Sequence, residues 1–379
     1  MRILLTIHHE RDPDAGAAGV TLALADALGA LGHEATVWTT SDLPDRLGPR
    51  ARELAFPLAA SGRMLRAARQ GFDVIDASSG DAWPLTLVRP RDRGPLLLSR
   101  HHGLEQRFRA ARIAQVARDG EAIPTLERLY HGGVVLRLAE RHMRRADGVL
   151  VLNRQDRREA IALGAAPARV HLVHNGMPAP LTVLPPPAAP PAGTPLVVAQ
   201  IGSWDPRKGT RDTVAAFERL LTENVTARAL LLGTGADGDA VRGAFAAVVR
   251  DRIDVVPRYA RGDLPDLLAD AQVVVQPSLA EGSSLALLEA MACGLVPVAT
   301  AVGAAPDLIR DGENGLLVPA ADPAALSAAL LDVARDDAGR LARREAAQRT
   351  AQPFSWPRIA ADTAALYARL LAARLPPSR

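Results

Sequence analysis

Lysine is almost missing from this chain. Of its 45 Lys and Arg residues, Lys208 is the one lysine, and every other basic position is arginine. A genome bias towards arginine accounts for the general absence and leaves the survivor to be explained. Cysteine is equally scarce. Cys293 alone excludes an internal disulfide, is compatible with a reducing compartment, and reads as small core packing beside Ala292 and Gly294 rather than as a nucleophile. No Cys/His cluster has zinc spacing, and no carboxylate cluster points to a metal. Aromatics make up only 3%, so cores must be built from the Ala, Leu and Val within the 48% apolar fraction. A net charge of +3, without interleaved aromatics, argues against nucleic acid as a partner. No run reaches the roughly 18 apolar residues of a spanning helix. The apolar run within Met1–Glu10 is too short for a signal peptide. The expectation is a soluble cytoplasmic protein, open to peripheral contact at the inner membrane face.

At 379 residues the chain has room for two or three domains. Ile3–Ile7 reads as a strand, followed by a loop with Gly16 and Gly19, a helical pattern from Val20 to Leu31, and a strand from Ala35 to Trp38. Glycine at a strand-to-helix turn brings backbone amides near a ligand, although Gly16-x-x-Gly19 is not a full dinucleotide fingerprint. Further strands are expected at Phe72–Asp76 and Leu96–Ser99, the second ending in Arg100-His101-His102-Gly103-Leu104-Glu105. Histidines at a strand's carboxyl end sit where such sheets bind ligands. Glu105 and Arg107 either line that side or form a solvated ion pair. From Arg107 to Arg145 the chain is helical and arginine-rich: a solvated face, or a surface for anionic headgroups. Strands follow at Val149–Leu152 and Arg169–Val173. Leu181–Pro195, with Pro185, Pro186, Pro187, Pro190, Pro191 and Pro195, reads as an extended linker.

Beyond it the alternation restarts, with strands ending at Ile201 and Leu232 and others at Ile253–Val256 and Val273–Val275. Val296–Ala299, Pro306–Ile309 and Gly315–Val318 complete it. Gly233-Thr234-Gly235 is either a tight turn or a close approach for a nucleoside, and Leu264 is a candidate contact for its base. The stretch from Gln276 to Pro297 is the most informative. It runs strand, loop, helix, with Gly282, Ser283 and Ser284 where the helix starts, so that capping hydroxyls and unpaired amides face the mouth of the sheet. Such a mouth suits an anion. Glu281 lies before it and Glu289 more than a turn inside, so the two carboxylates can reach different parts of one elongated ligand. Lys208, in Gly202-Ser203-Trp204-Asp205-Pro206-Arg207-Lys208-Gly209, again lies between strand and helix. A compact ammonium suits a phosphate differently from a guanidinium.

The loop Gly202…Lys208-Gly209 followed by Glu281-x7-Glu289 resembles the donor site of the retaining GT-B glycosyltransferases of family 4. The resemblance implies an α/β fold of two Rossmann-like doubly wound domains facing a cleft. Residues 1–180 would be the acceptor side, 181–195 the linker, 196–355 the nucleotide-sugar domain, and 356–379 a helix crossing back to the first domain. It implies Lys208 on the donor diphosphate, Glu281 on the transferred sugar and Glu289 on the ribose. The family usually carries arginine where this chain has Ser203, and Arg207 is placed to supply that charge. Gly282, Ser283 and Ser284 would complete the diphosphate site. His102 maps onto the histidine that reaches the transferred sugar, with Gly16, Gly19, His101 and Glu105 towards the acceptor. Beyond the nucleotide-diphosphate sugar no cofactor and no metal is expected. The acceptor, whether glycan, lipid-linked or small molecule, is not specified. Two other readings fit the same architecture: a sugar-nucleotide epimerase and a non-catalytic sugar-nucleotide-binding subunit.

Overall fold

Short runs of valine, leucine and isoleucine become parallel strands buried on both faces, the pattern that helices on either side of a sheet impose. The computed structural model describes residues 1–44, 46, 48–89, 94–125, 128, 130–191 and 193–374. Positions 126, 127 and 129 of the arginine-rich stretch, 192 of the proline-rich segment and 375–379 of the C-terminal segment lie outside the described residues. The chain divides into two units, Met1–Gly176 with Phe354–Arg379, and Met177–Pro353.

In the first unit, β1 (Arg2–Ile7), β2 (Glu34–Thr39), β3 (Val74–Ser78), β4 (Leu96–Arg100), β5 (Gly148–Val151) and β6 (Val170–Leu172) form a parallel sheet in the order β2-β1-β3-β4-β5-β6. The few aromatics serve its core: Trp38 packs on Phe56 at 5.5 Å between ring centroids, and Tyr367 is fully buried. Tyr367 belongs to the last helix, Trp356–Ala372, which packs on the helix Gly16–Ala30 and on β4. Its hydroxyl donates to Asp76, and Arg100 pairs with the same carboxylate at 2.6 Å.

In the second unit, β7 (Val197–Ile201), β8 (Arg228–Leu232), β9 (Ile253–Val256), β10 (Ala271–Gln276), β11 (Val296–Thr300) and β12 (Leu316–Val318) form the order β12-β11-β10-β7-β8-β9, again all parallel. Phe217 and Phe245 fill its core among Val198, Leu231, Val273 and Leu330. In each sheet the chain leaves its first strand in one direction and later returns on the other side. That makes a topological switch point between β1 and β3, and another between β7 and β10.

Two features depart from the sequence reading. The chain enters the second unit at Met177, so the proline-rich segment belongs to that unit rather than standing between two bodies. Prolines leave carbonyls with few amides, and side chains supply the donors: Gln348 to Pro185 at 2.9 Å and Arg344 to Ala188 at 3.0 Å. Pro306–Ile309, between two strands of the expected alternation, falls on a short helix, Ala305–Leu308, with Pro306 in its first turn. Helices at Pro49–Arg69, Pro323–Arg335 and Asp337–Ala351 had no counterpart in the reading. Among the described residues no helix is long and apolar enough to cross a membrane.

Candidate active site

The loops that leave β7, β8 and β10 are stitched together by backbone hydrogen bonds. Gly202 N donates to Leu232 O at 2.8 Å, Trp204 N to Thr234 O at 2.7 Å, and Leu279 N to Arg207 O at 2.8 Å. The result brings Lys208, from the loop after β7, onto Glu281, from the loop after β10. Nζ lies 2.6 Å from Oε1, which also accepts from Ser278 Oγ at 2.9 Å. Arg207 stands 3.8 Å from the same oxygen and donates to Ala280 O at 3.2 Å. Ser203 is exposed, so positive charge in this loop comes from Arg207 and Lys208.

Close approach is written into the glycines. Gly209 has φ +75°, and a Cβ there would stand 2.0 Å from Pro277 O; at Gly303 a Cβ would stand 2.5 Å from Glu281 O and 2.7 Å from Gly282 O. Ser284 caps the helix Leu285–Ala292, its Oγ accepting from Leu287 N at 3.3 Å, with Ser283 half-buried beside it. One turn in, Glu289 is 3% exposed and pairs with Arg261 Nε at 3.1 Å. Burial raises its pKa and Arg261 pulls it back. The Glu289–Arg261 pair was not foreseen. Burial and Glu289 push the Cys293 thiol up to about 12, which leaves it protonated and a poor nucleophile. Gly233 and Gly235 have φ +70° and +65°, as the turn requires. Leu264 is fully buried and offers no side-chain surface to a base, a correction to its expected role, because the short helix it opens turns that residue into the core.

The first unit gathers histidines and acids at the carboxyl ends of β1, β3 and β4. His8, directly after β1, meets Asp81 at 2.8 Å through Nδ1, and Asp81 takes Thr6 Oγ at 2.8 Å on its other oxygen. His9 stacks beside His8 at 4.7 Å. His102 keeps a buried Nε2 without a partner, and burial, with Arg100 and the neighbouring histidines, lowers its pKa to about 3. Glu105 keeps a buried Oε2 without a partner; burial raises its pKa, with Ser79 and His8 opposing. It is therefore no solvated ion pair, whereas Arg107 lies 3.4 Å from buried Asp156. His101 is corrected: it is 2% exposed, and Ser99 Oγ lies 3.1 Å from its Nε2 and 3.4 Å from His142 Nδ1, an interior network rather than an acceptor surface. Gly19 is held where a Cβ would stand 2.2 Å from Pro13 O, while Gly16 has open space around it. A cavity of about 430 Å³ between β6 and the last helix, lined by His171, Asp362 and Arg369 among others, contains none of these residues. Among the described residues no group of three or more His, Cys, Asp or Glu is placed to hold a metal.

Two doubly wound parallel sheets, one in each unit, are the architecture of the GT-B class. The solved structures agree on the fold. Sucrose-phosphate synthase from Thermosynechococcus elongatus superposes with a TM-score of 0.77 at 24% identity, covering 98% of this chain and 100% of that one. HepE from Anabaena, in complex with UDP-glucose, gives 0.67 at 18% identity, covering 97% and 100%. Residues 15–179 match the family model Glycosyltransferase Family 4, and residues 195–336 match Glycosyl transferases group 1. The chain belongs to the family 4 glycosyltransferases. A D-inositol 3-phosphate glycosyltransferase of Mycolicibacterium vanbaalenii is 31% identical over 246 residues, 60% of this chain and 54% of that one. The chain spans about half, or less, of the length of the curated relatives it matches.

Proposed function

We propose that this chain is a cytoplasmic retaining glycosyltransferase that moves a sugar from a nucleotide-diphosphate donor to an acceptor hydroxyl without a metal. The observation that carries the reading is the contact of Lys208 with Glu281 at 2.6 Å across the β7/β10 switch point, beside the capped start of Leu285–Ala292. A donor diphosphate laid there meets an ammonium, Arg207 and the helix amides, the charge that a leaving phosphate needs. Lys208 then exchanges part of its contact with Glu281 for the phosphate. Glu281 turns to the sugar, orients it and steadies positive charge at the anomeric carbon. Glu289 takes the ribose hydroxyls. The departing phosphate oxygen accepts the proton of the acceptor hydroxyl as the new bond forms on the same face, so the protein positions and stabilises rather than supplying a base.

Neighbours solved with UDP and UDP-glucose support a uridine donor as the first to try, and the name of the curated relatives supports a polyol phosphate as the first acceptor. For a lipid-linked acceptor, the surface that meets the bilayer is the helix Pro49–Arg69. Leu54, Leu58 and Leu65 are 58%, 63% and 43% exposed, recur at helical spacing on one stripe, and are followed by exposed Arg66 and Arg69. Co-sedimentation with phosphatidylglycerol vesicles, weakened by Leu54→Glu with Leu58→Glu, is the expected outcome; equal sedimentation of both proteins removes that surface.

The function itself is tested by offering nucleotide sugars with and without polyol, sugar and lipid-linked acceptors. Donor consumption that requires an acceptor and yields the α-linked product from an α-linked donor is expected. Conversion of the donor into an isomer with no acceptor present would overturn the reading in favour of an epimerase.

A further inference from the structure

The pair His8–Asp81 at the first unit's switch point is one that the transferase chemistry above leaves unused. His8 follows β1 and Asp81 follows β3, so the pair bridges the strands between which the sheet reverses direction. Ligands of open α/β sheets bind in that crevice. The pair is rigid. Asp81 is 1% exposed, its two oxygens committed to His8 Nδ1 and Thr6 Oγ at 2.8 Å each. The His8 side chain is 25% exposed, and its Nε2 makes no hydrogen bond among the described residues. Two residues near enough to exchange charge effects with it, His102 and Glu105, each keep a buried polar atom without a partner, Nε2 and Oε2.

An imidazole held by a carboxylate can serve as a base or as a donor, and its charge decides which. Burial alone would lower the pKa of His8. The charge and hydrogen bond of Asp81, with Glu105 and Glu53, outweigh it and raise the value to about 9. At neutral pH the ring is an imidazolium, which donates through Nε2–H and has no lone pair to accept a proton. The net charge of the surroundings decides what it donates to. Asp81 cancels the imidazolium, burial keeps His102 neutral, and Glu105 is raised towards its neutral form. With Asp81 balancing the imidazolium, the ring offers its Nε2–H to a hydroxyl without the excess positive charge that would hold a free anion.

We propose that His8, clamped by Asp81 at the β1/β3 switch point, donates a hydrogen bond to a hydroxyl of a polyol or sugar acceptor, and with His102 and Glu105 selects acceptors by their hydroxyl pattern. The inference rests on the transferase reading and adds the residues by which the acceptor is chosen. His8 binds the acceptor and Asp81 is a positioning residue acting through it. Other charged groups around His8 are Glu53 from the helix Pro49–Arg69, Glu105 from the helix Glu105–Arg118, and His9 and His102 from the adjoining loops.

The test uses the full chain and four probes, myo-inositol, glucose, myo-inositol 1-phosphate and inorganic phosphate, titrated with saturating UDP or GDP and followed by the ¹H–¹⁵N signals of the histidine rings. At least one polyol or sugar is expected to shift the His8 signals. Its affinity should fall about tenfold or more in His8→Phe and partly recover in His8→Gln, which keeps a donor. In Asp81→Asn the ring loses its counter-charge while its burial remains, so binding, level up to about pH 9 in the wild-type chain, should begin to weaken at a clearly lower pH. A purely structural Asp81 would leave that pH profile in place. The inference is overturned if no probe moves the His8 signals, if His8→Phe binds like the wild type, or if inorganic phosphate alone competes as strongly as the polyols. A chain that binds neither nucleotide fails the transferase reading instead, whereas nucleotide binding that persists in His8→Phe isolates the failure to this inference.

Discussion

The ammonium of Lys208 reaches Glu281 past a glycine: a Cβ built on Gly202 would stand 3.7 Å from Lys208 Cε and 4.0 Å from Nζ. Glu281 is 8% exposed, and its Oε1 takes both Ser278 and the ammonium, whereas the Arg207 guanidinium stands off at 3.8 Å. Lys208→Ala is expected to weaken UDP or GDP binding about tenfold or more, the worth of a charged hydrogen bond, with Lys208→Arg in between. Titration calorimetry decides it, and wild-type affinity in the alanine variant would remove the diphosphate role. At this scale legibility followed sequence locality. Lys208, Glu281 and Glu289 stood out because each sits in a strand-to-helix loop whose glycines and serines are adjacent in the chain. His8 and Asp81 did not: they lie 73 positions apart, as Lys208 and Glu281 do, but neither belongs to a local pattern. His101 and His102, neighbours in sequence, part at the end of β4: one joins Ser99 and His142 and the other keeps a buried nitrogen without a partner.

Strand-to-helix loops do the positioning, and they hold their shape through backbone contacts that tolerate no side chain. Gly209 is the tightest of these, left-handed at φ +75° and pressed against the carbonyl of Pro277. Gly209→Ala must therefore move either the loop after β7 or the loop after β10. A loss of about 1–3 kcal/mol of stability is expected, together with weaker nucleotide binding because Lys208 and Glu281 separate. Urea unfolding and the same calorimetry check both. Full stability with intact binding would mean that the loops adjust independently. Elements with a simple apolar run were legible: Ile253–Val256 has the same bounds in sequence and structure. The helix Pro49–Arg69 was not, because Pro57 interrupts it and its solvent face carries leucines that blur the periodicity. Its buried face, Phe56, Ala60, Met64 and Ala67, still repeats at helical spacing.

Across the molecule both sheets put a base and an acid on either side of the place where strand order reverses, His8 with Asp81 in one unit and Lys208 with Glu281 in the other. Each unit also buries polar groups deep in its fold, and in the first unit these set how the whole chain responds to acid. Burial lowers His101 to about 4 and His142 to about 3, and His102 to about 3 with help from nearby positive charge. All three are neutral in the native state, while their unfolded values lie near 6.5. Above that pH neither state binds the protons and their contribution is complete. Below it the unfolded chain takes up protons that the folded chain refuses, so stability falls as pH drops towards the folded values, by about 1.4 kcal/mol per pH unit for each histidine. His8 has the opposite sign: its raised pKa contributes fully below about 6.5 and is lost as pH rises through about 9. Thermal unfolding is therefore expected to show a maximum near neutrality, with an acid limb beginning close to pH 6.5, well above the range where carboxylates titrate. Replacing His101 and His142 together by leucine should make that limb shallower, since two of the three groups that must charge are gone and His102 remains. An acid limb of unchanged slope in that double variant would assign the loss of stability to other groups and take the buried histidines out of the account.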